Sequence, residues 1–174
     1  MSLLVRKIDK GKWLQNNITA DEDVSADAIT ICLRTSQNKL SVWKVSTETD
    51  IKEGILAIVS SGDHLEAIDI VTIDCQRIAS KGINVTQNLE QSLTRVEDLK
   101  NTHYEITDLT YPKLGIIANC IVDSFKKGQI TNCCKEGQVI RCTERYLIQI
   151  VQEATRIGRA KKEDFPDSIQ RKLP

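Results

Sequence analysis

The chain has 174 residues, of which 40% are apolar but only 4% aromatic, and its 24 basic and 24 acidic residues balance. This length and apolar fraction predict one domain over residues 1–174, with a core built from aliphatic side chains. The balanced charge argues against a general nucleic-acid-binding protein and against a disordered acidic protein.

The charges are unevenly distributed along the chain. Residues 1–44 carry a net charge of +2, residues 45–110 carry −7 and residues 111–174 carry +5. Such segregation suits docking to charged partners. The competing interpretation, which we favour, is that these charges interleave in space and cancel.

The N-terminus predicts an intracellular protein. Arg6, Lys7 and Asp9 follow the first apolar residues too closely for a secretory signal, and no apolar run approaches the ~18 residues that span a bilayer. Six cysteines at irregular spacing are typical of reduced thiols. We therefore expect a cytoplasmic protein of bacterial type without membrane contact.

The first half of the chain predicts mostly strands. These span residues 3–8, 28–34, 39–45 and 65–74, with a helix over residues 47–61. The short polar link at 35–38 indicates a hairpin between the second and third strands. The strand at 65–74 is apolar on both faces, so we expect a central strand with Val71 and Ile73 in the middle of the sheet.

The second half predicts mostly helices, at residues 88–100, 110–127 and 143–162. An edge strand is expected at 103–109, a hairpin turning at Glu136-Gly137 within 129–142, and a charged tail at 161–174. Strands early and helices late indicate an α+β fold, which we expect to be a mixed sheet of about five strands packed with about four helices.

Cysteine offers no metal site. Cys133, Cys134 and Cys142 fall in the expected hairpin and Cys120 on the preceding helix. Adjacent residues in a strand point to opposite faces, and a diagonal pair is ~7 Å apart, so neither zinc nor a disulfide follows. We expect buried thiols that fill space, and no cofactor.

Histidine, cysteine and aspartate side chains around the strand at 65–74 are the remaining candidates for catalysis. His64 and Cys75 bracket one strand and would be ~30 Å apart, which excludes a dyad between them; Cys75 with His103 stays geometrically open. Asp69 and Asp74 face opposite sides of that strand, and Asp74 is best explained as a turn residue or a helix cap. No glycine-rich phosphate loop occurs, which argues against common nucleotide-dependent enzymes.

Two basic stretches remain as candidate binding residues. The first holds four cations near an indole, Arg6, Lys7, Lys10 and Lys12. Lys10 and Lys12 beside Trp13 suit a phosphate or base contact, although Trp13 is better explained as a lid on the core. The last helix ends in a second stretch, predicted to face a protein partner or a second copy of the chain, formed by Arg156, Arg159, Lys161 and Lys162. The helix also carries an apolar stripe, which is either core or part of that interface, of Tyr146, Leu147, Ile150, Val151, Ala154 and Ile157.

These observations predict a small cytosolic protein-binding module, such as an accessory, inhibitor or immunity-like subunit that acts through a protein partner. No local catalytic constellation survives its geometry. The alternatives are an enzyme whose site is assembled from distant segments and, with less support from the neutral charge, a nucleic-acid-binding module.

Overall fold

A computed structural model describes residues 2–13, 24–47, 50–126 and 139–173. Within them the strands are β1 (Leu3–Ile8), β2 (Leu40–Val45), β3 (Ile68–Asp74), β4 (Asn84–Gln87), β5 (His103–Thr107) and β6 (Val139–Cys142). The helices are α1 (Lys10–Trp13), α2 (Ile51–Ser60), α3 (Cys75–Ala79), α4 (Tyr111–Lys126), α5 (Glu144–Arg156) and α6 (Asp167–Gln170). A π-helical turn covers Ala28–Cys32, and 3-10 helices cover Glu97–Thr102 and Lys162–Asp164.

The strands form one antiparallel sheet in the order β4-β5-β2-β1-β3-β6. Strand β1 pairs with β3 over its whole length, from Leu3 opposite Asp74 to Ile8 opposite Asp69. Its pairing with β2 ends after Val5 opposite Trp43. Beyond that point β1 and β2 separate, at the end of the sheet where β1 finishes and β2 begins.

Helices cover both faces of the sheet, because most strands alternate two sets of buried side chains. On one face, α2 and α5 pack on a core that includes Leu3, Val5, Val45, Ile55, Ile70 and Leu147. On the other face, α4, α1 and the π-helical turn cover a core that includes Leu4, Val42, Val71, Ile106, Ile117 and Trp13.

Helix α2 lies unusually close to β1 because it carries a glycine at the crossing. A Cβ at Gly54 would meet Val5 Cγ2 at 2.9 Å and Val5 Cβ at 3.0 Å. The helix buries Ile51, Ile55 and Val59 beside this contact. The close approach places the C-terminal end of α2 near the opening between β1 and β2.

The α+β class predicted from sequence is confirmed, with two differences in the sheet. It has six strands in place of about five, and every pairing is antiparallel in place of mixed. The strand that the sequence did not predict is β4, an edge strand that buries little surface and therefore shows no apolar pattern. The strand expected at the edge, β5, lies between β4 and β2.

Residues 28–34 were predicted as a strand, and this was wrong. The Ser25 hydroxyl accepts a hydrogen bond from the Ala28 amide and donates to the Lys12 carbonyl, which starts a helical turn there. The predicted hairpin is reduced to a tight turn in which Ser36 and Lys39 form an isolated bridge. Gln37 and Asn38 adopt φ of 52° and 59° within it.

Residues 88–100 were predicted as an α-helix, which was also wrong. Only the last part is helical, as the 3-10 helix Glu97–Thr102. Contacts with the end of α2 outcompete the local helical pattern: the Thr94 hydroxyl lies 2.5 Å from that of Ser60, and Arg95 donates to the Ser60 and Gly62 carbonyls. Leu93, placed on the expected buried stripe, is 74% exposed.

The remaining expectations concern β3 and the C-terminus. Strand β3 was expected in the middle of the sheet but lies between β1 and β6, second from one edge. Val71 and Ile73 are nevertheless buried, because helices cover both faces at this strand too. Of the predicted hairpin at 129–142, residues 127–138 lie outside the described part, including Cys133, Cys134 and the Glu136-Gly137 turn. Residues 161–173 of the predicted charged tail place three apolar side chains in the core beside α2 and α5: Phe165, Ile169 and Leu173.

Candidate binding groove

A groove of about 550 Å³ opens where β1 and β2 separate. Its remaining walls come from the end of α2, the π-helical turn and the segment 89–95. Val5 and Trp43 are among the buried side chains that line it, whereas Ile31 and Leu93 are 52% and 74% exposed. The volume lies in the range of ordinary ligand sites, ~300–1,000 Å³.

Arg6 spans the opening between the two strands. Its Nε donates to the Cys32 carbonyl at 2.8 Å and its Nη1 donates to the Ser41 carbonyl at 2.6 Å. Continuing the register of β1 and β2 would pair Ser41 with Lys7, so a side-chain donor binds a strand carbonyl where the ladder stops. This arrangement links three segments that are distant in sequence.

Arg6 has no carboxylate partner among the described residues. Burial lowers the pKa of Arg6 to about 10, and the neighbouring Cys32 thiol opposes this effect. The guanidinium therefore stays charged at neutral pH although its surroundings disfavour charge. Lys7 beside it is exposed and unpaired within the described residues, while Asp9 Oδ1 accepts the Gly11 amide at 3.0 Å.

His103 lines the same groove from β5. Its Nδ1 lies 2.6 Å from the Asn88 carbonyl oxygen. Because a carbonyl only accepts, Nδ1 carries the proton in this hydrogen bond and a neutral ring keeps an acceptor at Nε2. The Trp43 ring contacts it edge-on, with 5.0 Å between ring centroids and 61° between the planes. These contacts orient the imidazole.

A buried carboxylate, Glu105, lies two residues after His103 on β5. Glu105 is buried and forms an ion pair with Lys39 at 3.2 Å. Desolvation is the largest influence and raises its pKa, but hydrogen bonds from Asn88 and Lys39 and the charges of Lys39 and His103 bring the pKa of Glu105 below its ordinary value. Asn88 thus holds both Glu105 and His103.

The predicted base contact at Trp13 requires a correction. The Trp13 ring is fully buried and stacks on Phe125 at 6.2 Å, so it has no face for a nucleic-acid base. Lys12 Nζ lies 3.3 Å from Asp27 Oδ2, and the Lys10 amide donates to Asp69 at 3.4 Å. The explanation of Trp13 as a lid on the core is confirmed.

The four cations predicted to face a partner differ in their contacts and exposure. Arg159 is engaged by Glu53 and Asp98 at 2.6 and 2.7 Å, and Lys162 Nζ donates to the Leu173 carbonyl at 2.9 Å. Arg156 is exposed and 3.4 Å from Glu153, and Lys161 is exposed. An open depression of about 890 Å³ includes Arg156, Lys161 and Lys162 but not Arg159.

The apolar stripe of α5 is core for the most part. Its central residues, Leu147, Ile150, Val151 and Ala154, are buried under α2 and the C-terminal segment. Tyr146 is partly buried, and Ile157, beyond the end of the helix, is 51% exposed. The stripe therefore leaves little apolar surface for another chain.

The candidate catalytic constellations are not assembled in the described part of the chain. Asp74 caps α3 by accepting the Gln76 amide at 2.8 Å, as expected. His103 lies three strand spacings from β3, about 14 Å, so it is no partner for Cys75. Cys32, Cys120 and Cys142 are buried, and no group of three His, Cys, Asp or Glu side chains suits a metal in the described residues.

The sequence marks Arg6 as one of four cations near Trp13 and leaves His103 open as a partner for Cys75, but it does not indicate that these two residues line one groove. Arg6 shares a strand face with Leu4 and Ile8, and a cation at a core-facing position of a strand is a detectable signal. His103 begins a strand in which polar and apolar residues are mixed, so its sequence context does not indicate a buried polar residue.

A scan against protein-family models, a search of curated proteins and a search of solved structures each returned no match. No helix among the described residues is long and apolar enough to cross a membrane. The function is therefore inferred from the residues that line the groove.

Proposed function

We propose that this protein is a binding module that holds a short segment of a partner protein in the groove between β1 and β2. The observation that carries the proposal is the pairing of an uncompensated cation, Arg6, with two well-exposed aliphatic side chains, Ile31 and Leu93, around one groove. Exposed aliphatic residues grouped at a concave site are typical of protein-docking surfaces.

The chemistry favours an acidic segment that also carries apolar side chains. Arg6 and Lys7 outnumber Asp9 among the charged residues of the groove, so the net charge of the groove is positive. Val5, Trp43 and Ile58 offer apolar surface at the base of the groove. A charged rim of this kind accelerates association with an oppositely charged partner.

The test is a quantitative pull-down from the native host with three baits. Replacing Ile31 and Leu93 together by Ser should reduce recovery of the bound protein at least about tenfold, because each apolar side chain contributes ~1.5–3 kcal/mol when it becomes buried. Ile157→Ser is the matched control, since Ile157 is equally exposed (51%) but does not line the groove.

The wild type and Ile157→Ser should recover the same protein in equal amounts. Equal recovery by the double variant, or no protein enriched by the wild type over the double variant, would refute the proposal. The thermal stability of all three baits should agree, because the substituted side chains are largely exposed.

A further inference from the structure

We infer that the anchoring group of the bound segment is a carboxylate, received by the guanidinium of Arg6. The inference rests on the proposed function and specifies the chemistry of its ligand. It predicts an Asp or Glu side chain, or a chain-terminal carboxylate, next to an apolar side chain in the partner.

The hydrogen-bond count of Arg6 supports this assignment. A guanidinium has five N–H donors. One at Nε and one at Nη1 are used by the Cys32 and Ser41 carbonyls, and Nη2 has no partner among the described residues. The second Nη1 proton and the two on Nη2 remain, and the edge formed by Nη1 and Nη2 matches the two oxygens of a carboxylate.

The electrostatic environment of Arg6 also favours a carboxylate ligand. The two carbonyls that hold Arg6 are neutral dipoles, so they fix its position without neutralising its charge. Burial already disfavours the charged form, as the lowered pKa of about 10 indicates. A carboxylate arriving in the groove would supply the missing counter-charge in a partly desolvated site, where ion pairs are stronger than at an open surface.

The groove gives the carboxylate an apolar neighbour. Val5 and Trp43 lie at the base and Leu93 at the rim. An anion without an apolar body, such as acetate, would leave these contacts unused. The ligand is therefore a carboxylate attached to an aliphatic group, and hexanoate reproduces both parts in the smallest form.

The experiment titrates the protein with hexanoate and with hexanamide, its neutral isostere, to about 50 mM, since a ligand of this size binds in the millimolar range. Binding is followed by amide NMR shifts at Arg6, Trp43 and Leu93. We expect hexanoate to shift these resonances and hexanamide to bind at least about tenfold more weakly, because a hydrogen bond to a charged group contributes more than a neutral one. Hexanoate binding should also weaken several-fold from low salt to 0.5 M salt, roughly as expected for a charge contact.

Two variants of Arg6 complete the test. Arg6→Gln keeps a donor for the backbone carbonyls without the charge and should lose the preference for hexanoate, whereas Arg6→Lys should retain part of it. If Arg6→Gln does not fold, the comparison of hexanoate with hexanamide on the wild type and its salt dependence still decide. Equal affinities for the two probes, or no groove shifts with hexanoate, would overturn the inference.

The experiments distinguish failure of the proposed partner binding from failure of the carboxylate anchor at Arg6. If the Ile31 and Leu93 double variant loses the partner while hexanoate and hexanamide bind equally to the wild type, the proposed partner binding is supported and the carboxylate anchor is refuted. Selective hexanoate binding at Arg6 with no partner in the pull-down would support the carboxylate anchor and refute the protein ligand in favour of a small carboxylic acid.

Discussion

At the residue scale, the polar side chains of the groove form their hydrogen bonds with backbone carbonyl groups and not with one another. Arg6 is held by two carbonyls, and His103 by the carbonyl of Asn88. Glu105 differs, because it combines an ion pair with a hydrogen bond from Asn88. This carboxylate thereby fixes the segment that orients His103, and its ionisation should contribute to stability.

The contribution of Glu105 should depend on pH in a defined direction. Its folded-state pKa lies below the ordinary value, so the stabilisation is fully present above the ordinary pKa and is lost as the pH falls through the lower folded-state pKa. We expect Glu105→Gln to reduce the free energy of unfolding by about 1–3 kcal/mol at pH 7 and by much less at pH 3.

Urea denaturation of the wild type and the variant at both pH values measures this difference. Glu66→Gln is the control, because Glu66 is exposed and forms no ion pair within the described residues. A deficit of the same size at pH 3 and pH 7 would show that shape, and not charge, accounts for the role of Glu105.

At the element scale, the close packing of α2 on β1 determines where the groove lies. Helices α2 and α4 each contain one glycine in their interior, and the surroundings of the two glycines differ. Gly54 in α2 faces Val5, whereas Gly115 in α4 has no neighbouring atom within 4 Å of an added Cβ. A glycine lowers the stability of a helix relative to alanine, and the close contact with Val5 supplies the reason for a glycine at position 54.

Alanine substitutions at the two glycines should therefore have opposite effects. Gly115→Ala should stabilise the protein by up to about 1 kcal/mol through helix propensity. Gly54→Ala should destabilise it by about 1–3 kcal/mol, because the methyl group would press on a β-branched side chain anchored in β1. Thermal unfolding of the two single variants provides the comparison, and a rise in stability for both would show that α2 can move away from β1 without cost.

At the scale of the whole molecule, Arg159 joins parts of the chain that are far apart in sequence. It pairs with Glu53 of α2 and with Asp98 of the 3-10 helix, and these carboxylates raise its pKa. Part of the acidic middle block and part of the basic C-terminal block of the sequence thus neutralise each other here. This agrees with the interpretation that the charge blocks interleave in space.

Arg159 and Arg156 should consequently respond differently to substitution. Arg159→Ala removes two ion pairs from a site of limited exposure and should cost about 1–2 kcal/mol, which lowers the Tm of a chain of this length by roughly 3–6 °C. Arg156→Ala should leave the Tm nearly unchanged, because an exposed ion pair contributes little. Equal Tm values for both variants, measured by calorimetry, would contradict the bridging role of Arg159.

Local patterns were sufficient for several elements. The apolar periodicity after Thr143 predicts a helix over residues 143–162, and α5 forms there but ends at Arg156. Thr143 accepts the Tyr146 amide as a cap should. The short apolar run of β1 and the apolar faces of β3 likewise depend on residues close together in the chain. In these segments local propensity and the tertiary core favour the same conformation.

Tertiary contacts decided the rest. Residues 28–34 and 88–100 have the local pattern of a strand and a helix, but hydrogen bonds to Lys12 and to the end of α2 favour other conformations. The groove itself is the clearest case, since Arg6 meets Cys32 and Ser41 only because β1 and β2 separate after Val5. The sequence by itself determined the α+β class and most regular elements, while the site arose from contacts between residues 26 and 35 positions apart, which no local periodicity encodes.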